Sequence, residues 1–374
     1  FRQDGCVAKL MQAGDHGALN NLVERCQNDG TLFNRLMIEK KNFGSSALHL
    51  AVFRNCIGSA KSLLDGLEDT NEKLEILSLK SDKQQITALH QAAENKACLD
   101  LLSLFIESIY IAASRYELLK TLCGTGRTVL HCAIQHKNMQ AVHMILNAIP
   151  KDKRLEYITS THGQQETSSA LHYAASYSDT ETVDVLLDYL EIHETSAALV
   201  SKDISQQNIL HLAVEHNSQC EAMVTFVLDR LDREHCQMIL WETDDNGLTP
   251  LHTAAMKGLL TCVDLLLTNS NLTKDEQLSV LTHKHENKTV ANKIHSCFTR
   301  SKTSRKHNMA QLCDFLNKTS FHLQSIEPSN EIIKRVLQET KYEMRMATMR
   351  DMLKGEACSY NQDRFCLPTP CIWA

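Results

Sequence analysis

The 374-residue chain has only five prolines and thirteen glycines. With so few breakers in a sequence rich in Leu and Ala, helices are favoured. No apolar run approaches the ~20 residues a membrane-spanning helix needs. No signal-peptide pattern opens the chain, which begins with Phe1 rather than Met and so leaves an upstream segment open. Excess charge is small as well. A formal net charge of -6 points to neither nucleic acid nor an anionic membrane as the main partner. Also missing are a nucleophile elbow, a paired-carboxylate motif and zinc-type cysteine pairs. The sequence therefore calls for no catalytic residue, no metal, no cofactor and no small-molecule substrate.

What is present is ordinary for a folded protein: 43% hydrophobic and 22% charged residues argue against disorder. Fourteen cysteines are scattered along the chain. Cys98, Cys132 and Cys262 fall in apolar helical runs, where a free thiol packs as a small hydrophobe. The expectation is reduced cysteines and a cytoplasmic location. Three N-x-T triplets, at Asn271, Asn287 and Asn317, matter only in a secreted protein.

One phrase recurs six times: SALHLA (46–51), TALHQAA (87–93), TVLHCA (128–133), SALHYAA (169–175), NILHLA (208–213) and TPLHTAA (249–255). Its histidines are His49, His90, His131, His172, His211 and His252, in steps of 41, 41, 41, 39 and 41 residues. A fixed period of about 20–50 residues marks a repeat array. The last copy is the fullest. Asp244 and Asn246-Gly247 bring turn chemistry, Thr249 a helix N-cap, and Pro250 a first helical residue whose missing N–H costs nothing. Leu251, Ala254 and Ala255 form an apolar stripe ended by Gly258, and Val263, Leu265, Leu266 and Leu267 mark a second helix. The turn Asp recurs as Asp82 and Asp203, the glycine as Gly44 and Gly126, and the capping hydroxyl as Ser46, Thr87, Thr128 and Ser169. A helical pair of this kind cannot bury both faces alone, so each copy is stable only against its neighbours.

This order of turn, cap, Leu-His, paired Ala and double Leu resembles the ankyrin repeat. The resemblance implies an all-α solenoid of paired antiparallel helices with hairpin tips, spanning residues 6–320. The leading unit would occupy 7–40, six core repeats about 41–281, and a degenerate closing unit 282–320. Residues 321–374 form a helix and tail. The departure is length, since an ordinary unit has about 33 residues. The surplus lies between the second helix and the next turn, as in NEKLEILSLKSD (71–82) and KDKRLEYITS (151–160). Its mixed apolar spacing suggests one extra helical turn plus a short extended piece.

The resemblance also assigns the six histidines to bracing adjacent units. Side by side in a stack they would stand about 10 Å apart, too far to share an ion at a Zn–N distance of about 2.0–2.1 Å. Function would then be non-enzymatic: a scaffold that captures another protein on a concave surface built from turn tips and first-helix ends. Five places past each histidine stand Arg54, Asn95, His136, Tyr177, His216 and Lys257, the expected partner-binding set.

Other features invite second readings. GTGRT (124–128) lacks the Lys-Ser/Thr of a phosphate loop and sits in a repeat turn. HKHE (283–286) offers two imidazoles and a carboxylate, but no partner cluster at metal spacing. Residues 284–307 hold seven Lys or Arg against one Glu, a solvated loop or else an acidic-partner contact or nuclear import signal. The helical spacing of 330–355 suits packing on the last repeat or binding a partner. The final CIWA fits a prenylation box at Cys371, with Cys366 available for a second acyl chain. A prenylated, membrane-tethered adaptor is thus one alternative. The cytosolic part of a longer channel or transcription-factor inhibitor is another.

Overall fold

The computed structural model describes residues 45–268, apart from positions 68, 162–167, 178, 217–219 and 258. To these it adds Asn21 and the short pieces at 284–285 and 288–289. The chain divides into two units, Phe1–Pro250 with Thr268–Asn271, and Leu251–Leu267 with Leu272–Ala374.

Among the described residues, the first unit runs through a three-helix pattern five times. The first repeat holds α1 (Ala47–Arg54), α2 (Ile57–Asp65) and α3 (Thr70–Leu77). The second holds α4 (Ala88–Glu94), a 3-10 turn at Lys96–Cys98, α5 (Leu99–Glu107) and α6 (Ala112–Leu119). The third holds α7 (Val129–Gln135), α8 (Met139–Ala148) and α9 (Lys151–Thr159). Next come α10 (Ala170–Ser176), α11 (Thr180–Asp188) and α12 (Ile192–Leu199). The fifth holds α13 (Ile209–His216), α14 (Cys220–Arg230) and α15 (Arg233–Trp241).

First helices pack in series, α1 on α4, α4 on α7, α7 on α10 and α10 on α13. Their leucines, Leu48, Leu89, Leu130, Leu171 and Leu210, are buried, and so are the alanines beside them, Ala51, Ala92, Ala133, Ala174 and Ala213. A methyl side chain is what lets two helix backbones approach so closely. Second helices supply the larger groups, among them Leu63, Phe105, Ile145, Leu186 and Val227. Each such aliphatic or aromatic burial contributes roughly 1.5–3 kcal/mol, and it is gained only when the next repeat is in place.

The surplus residues correct the expectation of a single turn. They form α3, α6, α9, α12 and α15, each eight or nine residues long. Each buries one adjacent pair near its end: Ile76-Leu77, Leu118-Leu119, Tyr157-Ile158, Ala198-Leu199 and Ile239-Leu240. Tyr116 in α6 and Cys236 in α15 extend the pair by one turn, and elsewhere the buried stripe is too short to show in the sequence. These helices also meet each other, α3 on α6 and α9 on α12. One tie is explicit: the Tyr157 hydroxyl donates to the Leu119 carbonyl at 2.8 Å.

The turns bear out the expected chemistry. Gly126 and Gly247 take positive φ of 84° and 71°. The same place in the second and fifth repeats is held by Gln85 and Gln206, at φ 52° and 57°, a region L-residues enter at a cost.

In the second unit, α16 (Pro250–Lys257) begins at the expected proline and α17 (Leu260–Thr268) follows. Leu251, Ala254, Val263 and Leu266 are buried. Cys262 is disulfide-bonded, which corrects its reading as a free thiol. Two short strands, β1 (Lys284–His285) and β2 (Lys288–Thr289), pair antiparallel. No helix among the described residues is long and apolar enough to cross a membrane. The rest of the leading unit 7–40 and of the closing unit 282–320 lies outside the described residues, as do 321–374 with Cys366 and Cys371, Gly44 and Gly258.

Candidate partner-binding face

The histidines set the geometry of this face. Each occupies the third helical position, and the five of the first unit turn back to their own N-caps. His49 Nδ1 lies 2.7 Å from Ser46 Oγ, and His90, His131 and His172 Nδ1 lie 2.8, 2.8 and 2.7 Å from the hydroxyls of Thr87, Thr128 and Ser169. The cap backbone N–H of Ser46, Thr87 and Thr128 also points to Nδ1 at 3.3–3.4 Å. Nδ1 is thus an acceptor, which places the single ring proton on Nε2.

That proton reaches the next repeat. Nε2 of His49 donates to the Ile86 carbonyl at 2.8 Å, His90 to Arg127 at 3.0 Å, His131 to Ser168 at 3.2 Å and His211 to Leu248 at 2.8 Å. His172 reaches Ser201 instead, at 3.0 Å. It is the histidine with the short 39-residue step to its successor. Burial holds the pKa of His90, His172 and His211 down, that of His172 to about 4, although each accepting carbonyl works in the other direction. All six imidazoles are buried, and those of the first unit are committed to bracing.

At the fifth repeat an amide replaces the hydroxyl cap, which the sequence reading left unassigned. Asn208 Oδ1 accepts the His211 N–H at 3.1 Å and lies 2.7 Å from His211 Nδ1. Its Nδ2 donates to the Ile239 carbonyl at 2.9 Å, tying α13 to the third helix α15. An asparagine can cap and bridge at once because it carries both an acceptor and two donors.

The six expected partner-binding positions fall at first-helix ends. Arg54 closes α1, exposed, with its guanidinium 5.6 Å from the Phe53 ring centroid. Asn95 is exposed, but its Oδ1 accepts from Ala97 N–H at 3.0 Å and so caps the 3-10 turn. His136 is exposed, its Nδ1 3.0 Å from the Cys132 carbonyl. Tyr177 is 52% exposed and its hydroxyl meets that of Tyr173 at 3.2 Å. His216 ends α13, its side chain outside the described residues, and Lys257 ends α16, exposed.

A neighbouring position was not legible. Four places past the histidine stand Phe53, Glu94, Gln135 and Glu215, and Phe53 is 71% exposed. The residue just before the cap reaches this position: Arg127 donates to Gln135 at 2.8 Å and Gln207 to Glu215 at 2.6 Å. Arg127 also lies 5.0 Å from the centroid of the Tyr173 ring, which tilts against Tyr177 at 5.1 Å. Only the eight-residue spacing of these pairs hinted at them. Together they form a polar and aromatic ledge on successive first helices.

The other sequence candidates separate from this face. GTGRT forms the repeat turn before α7, and within HKHE only Lys284 and His285 are described, in β1. No three His, Cys, Asp or Glu among the described residues are grouped to hold a metal.

Known proteins give this geometry its context. The family model for ankyrin repeats matches residues 89–196 and 197–278, just over half of the chain. Inversin from Canis lupus familiaris is 28% identical over 271 residues, covering 71% of this chain and 21% of that protein. Inversin from Homo sapiens is 27% identical over 271 residues, covering 71% of this chain and 22% of that protein. The chain therefore spans about a fifth of the length of the curated relatives it matches. Among solved structures, the ankyrin repeat domain of Bcl-3 superposes with a TM-score of 0.51 at 19% identity, covering 70% of this chain and 96% of that one. That likeness speaks to the fold, and with the family match it settles the class: this chain belongs to the ankyrin-repeat family.

Proposed function

We propose that this protein binds another protein through the ledge at the ends of its first helices. Ankyrin repeats are protein-protein interaction domains, typically without enzymatic activity. The observation that supports the location is register. Arg54, Asn95, His136 and Tyr177 recur at one position of successive packed helices and are exposed, while the histidines between them are buried. Charge, amide, imidazole and phenol at equal intervals suit an extended partner segment read residue by residue. Arg54 carries most of the polar reading and Tyr177 offers its half-exposed ring, because Asn95, His136 and the Tyr177 hydroxyl already meet partners at their own helix ends. Simultaneous alanine replacement of Arg54, Asn95, His136, Tyr177, His216 and Lys257, followed by affinity capture, tests this. Captured partners should be lost while the folded melt is kept; full retention refutes the face.

The length of the relatives supports an adaptor within a longer protein, with this module as the capturing part. A lipid anchor at Cys371 is a separate reading carried by the CIWA sequence alone. Unchanged membrane fractionation of Cys371→Ser removes it.

A further inference from the structure

Between the turns of the second and third repeats lies a pocket of about 450 Å³, lined in part by Cys123, Cys132, Glu94, Thr125 and Arg127. Cys123 stands in the turn before α7 and Cys132 in α7 itself, and both are free thiols. Both thiols and the Glu94 carboxylate line this one pocket, close enough to act on one another's titration. Cys123 Sγ also lies 3.0 Å from Thr125 Oγ1.

The turn around Cys123 is built for an anion. In the fifth repeat Asp203 N–H donates to the Gln207 carbonyl at 2.9 Å, and in the next turn Asp244 N–H donates to Leu248 at 2.9 Å. Each carboxylate accepts backbone N–H groups two and four residues on: Ser205 and Gln207 at 2.9 and 2.8 Å for Asp203, Asn246 and Leu248 at 2.9 and 2.8 Å for Asp244. Cys123 repeats the backbone pattern, donating to the Arg127 carbonyl at 2.9 Å and accepting from Gly126 at 3.0 Å. Its sulfur accordingly sits where the carboxylates sit, facing the amides of Thr125 and Arg127. A thiolate there takes over the hydrogen bonds that elsewhere serve an aspartate.

Gly124 holds the pocket in register. A Cβ there would stand 2.7 Å from Gln85 Cβ and 3.0 Å from the Gln84 carbonyl, so only glycine lets the two turns touch.

We propose that Cys123 and Cys132 form a redox-active dithiol, with Cys123 the thiol that meets a hydroperoxide and Cys132 the thiol that resolves it. The Cys123 thiolate attacks the terminal peroxide oxygen; an S–O bond forms and the O–O bond breaks. The alkoxide, or hydroxide, leaves as alcohol or water with the proton that Cys123 gave up. The sulfur, oxidised by two electrons, is now a sulfenic acid. Cys132 then attacks it, the S–S bond forms, and the sulfenic oxygen leaves as water with the Cys132 proton, for which Glu94 is the adjacent relay. Two thiols and one hydroperoxide become one disulfide, one alcohol and one water.

The pair's thiol acidities are split in the sense this order needs. The Cys132 S–H, the Thr125 hydroxyl and two backbone amides hold Cys123 down to about 4 against the pull of burial, while Cys132 is pushed up as the donor. Cys98, buried with no such cradle, is raised by burial.

Trypsin supplies the test, because Arg127 lies between the two cysteines. Cleavage after Lys120, Arg127 and Lys137 places Cys123 in peptide 121–127 and Cys132 in peptide 128–137. The full chain, reduced, desalted and exposed to equimolar hydrogen peroxide, should yield these two peptides joined, and dithiothreitol should separate them. Peptides that stay separate in the native chain, or join only after unfolding in urea, overturn the pair. In Cys132→Ser, dimedone should trap a sulfenic acid on Cys123. A trapped sulfenic acid on Cys132 in Cys123→Ser, with none on Cys123 in Cys132→Ser, overturns the order of attack.

Discussion

His49 and Ile86 are 37 positions apart in the chain and joined in space, the imidazole Nε2 donating to the carbonyl oxygen at 2.8 Å. The same reach of 37 residues recurs at His90, His131 and His211. Each imidazole is therefore both part of its own helix cap and a cross-repeat clamp.

Removing one clamp has a definite cost. His90→Ala takes away the bond to Arg127 and the Nδ1 contact with Thr87, which keeps only its bond from the backbone N–H of residue 90, and opens a hole at a fully buried site. A lost buried hydrogen bond costs about 1–3 kcal/mol and a large-to-small core change about 2–5 kcal/mol. A total of about 3–5 kcal/mol is expected, measured as a lower urea midpoint. Loss below 1 kcal/mol contradicts the clamp.

Acid should loosen the stack. Buried His90, His172 and His211 have folded pKa values below the ordinary 6.5, so the unfolded chain binds protons that the folded chain refuses. Their contribution to stability is full above about pH 6.5 and is lost as pH falls through the folded values. For His172, held to about 4, the loss approaches roughly 3 kcal/mol at pH 4. Melts recorded from pH 7 to pH 4 check it; a His172→Gln variant should show a shallower slope.

Tyr157 ties two third helices, and its hydroxyl is fully buried on the Leu119 carbonyl. Tyr157→Phe keeps the ring and deletes the bond, so about 1–2 kcal/mol should be lost. Circular dichroism should show helix content unchanged. An unaltered melt would mean the extra row contributes packing alone.

Gln206 offers the opposite sign. It holds a left-handed φ of 57° where the next turn has Gly247. Gln206→Gly relieves that strain, partly offset by the greater freedom of glycine in the unfolded chain, for a net gain of about 0.5–1 kcal/mol. A rise in urea midpoint checks this, and a fall would show that the Gln206 side chain holds the turn.

The repeat, its first two helices, its caps and the burial of its histidines could be read from the chain because they depend on residues within one period. Leu48 and Ala51, or Thr87 and His90, sit three residues apart, so local spacing carries their geometry. The third helices were seen only in part. Tyr157 and Ile158 are buried because α9 lies on neighbouring helices, and a helix anchored by two residues leaves no stripe to read. The ledge pairs Arg127–Gln135 and Gln207–Glu215 likewise needed the turn to fold back over its helix.

The sequence by itself determined that this protein is an array of repeats, since a period of 41 residues survives in the identities of a few side chains whose partners are local. Only the tertiary structure decided which thiols, amides and carbonyls meet across that period. Cys123 sharing a pocket with Cys132, Asn208 bridging to Ile239 and His172 turning to Ser201 follow from how the chain folds back on itself, a distance that spacing along the sequence does not encode.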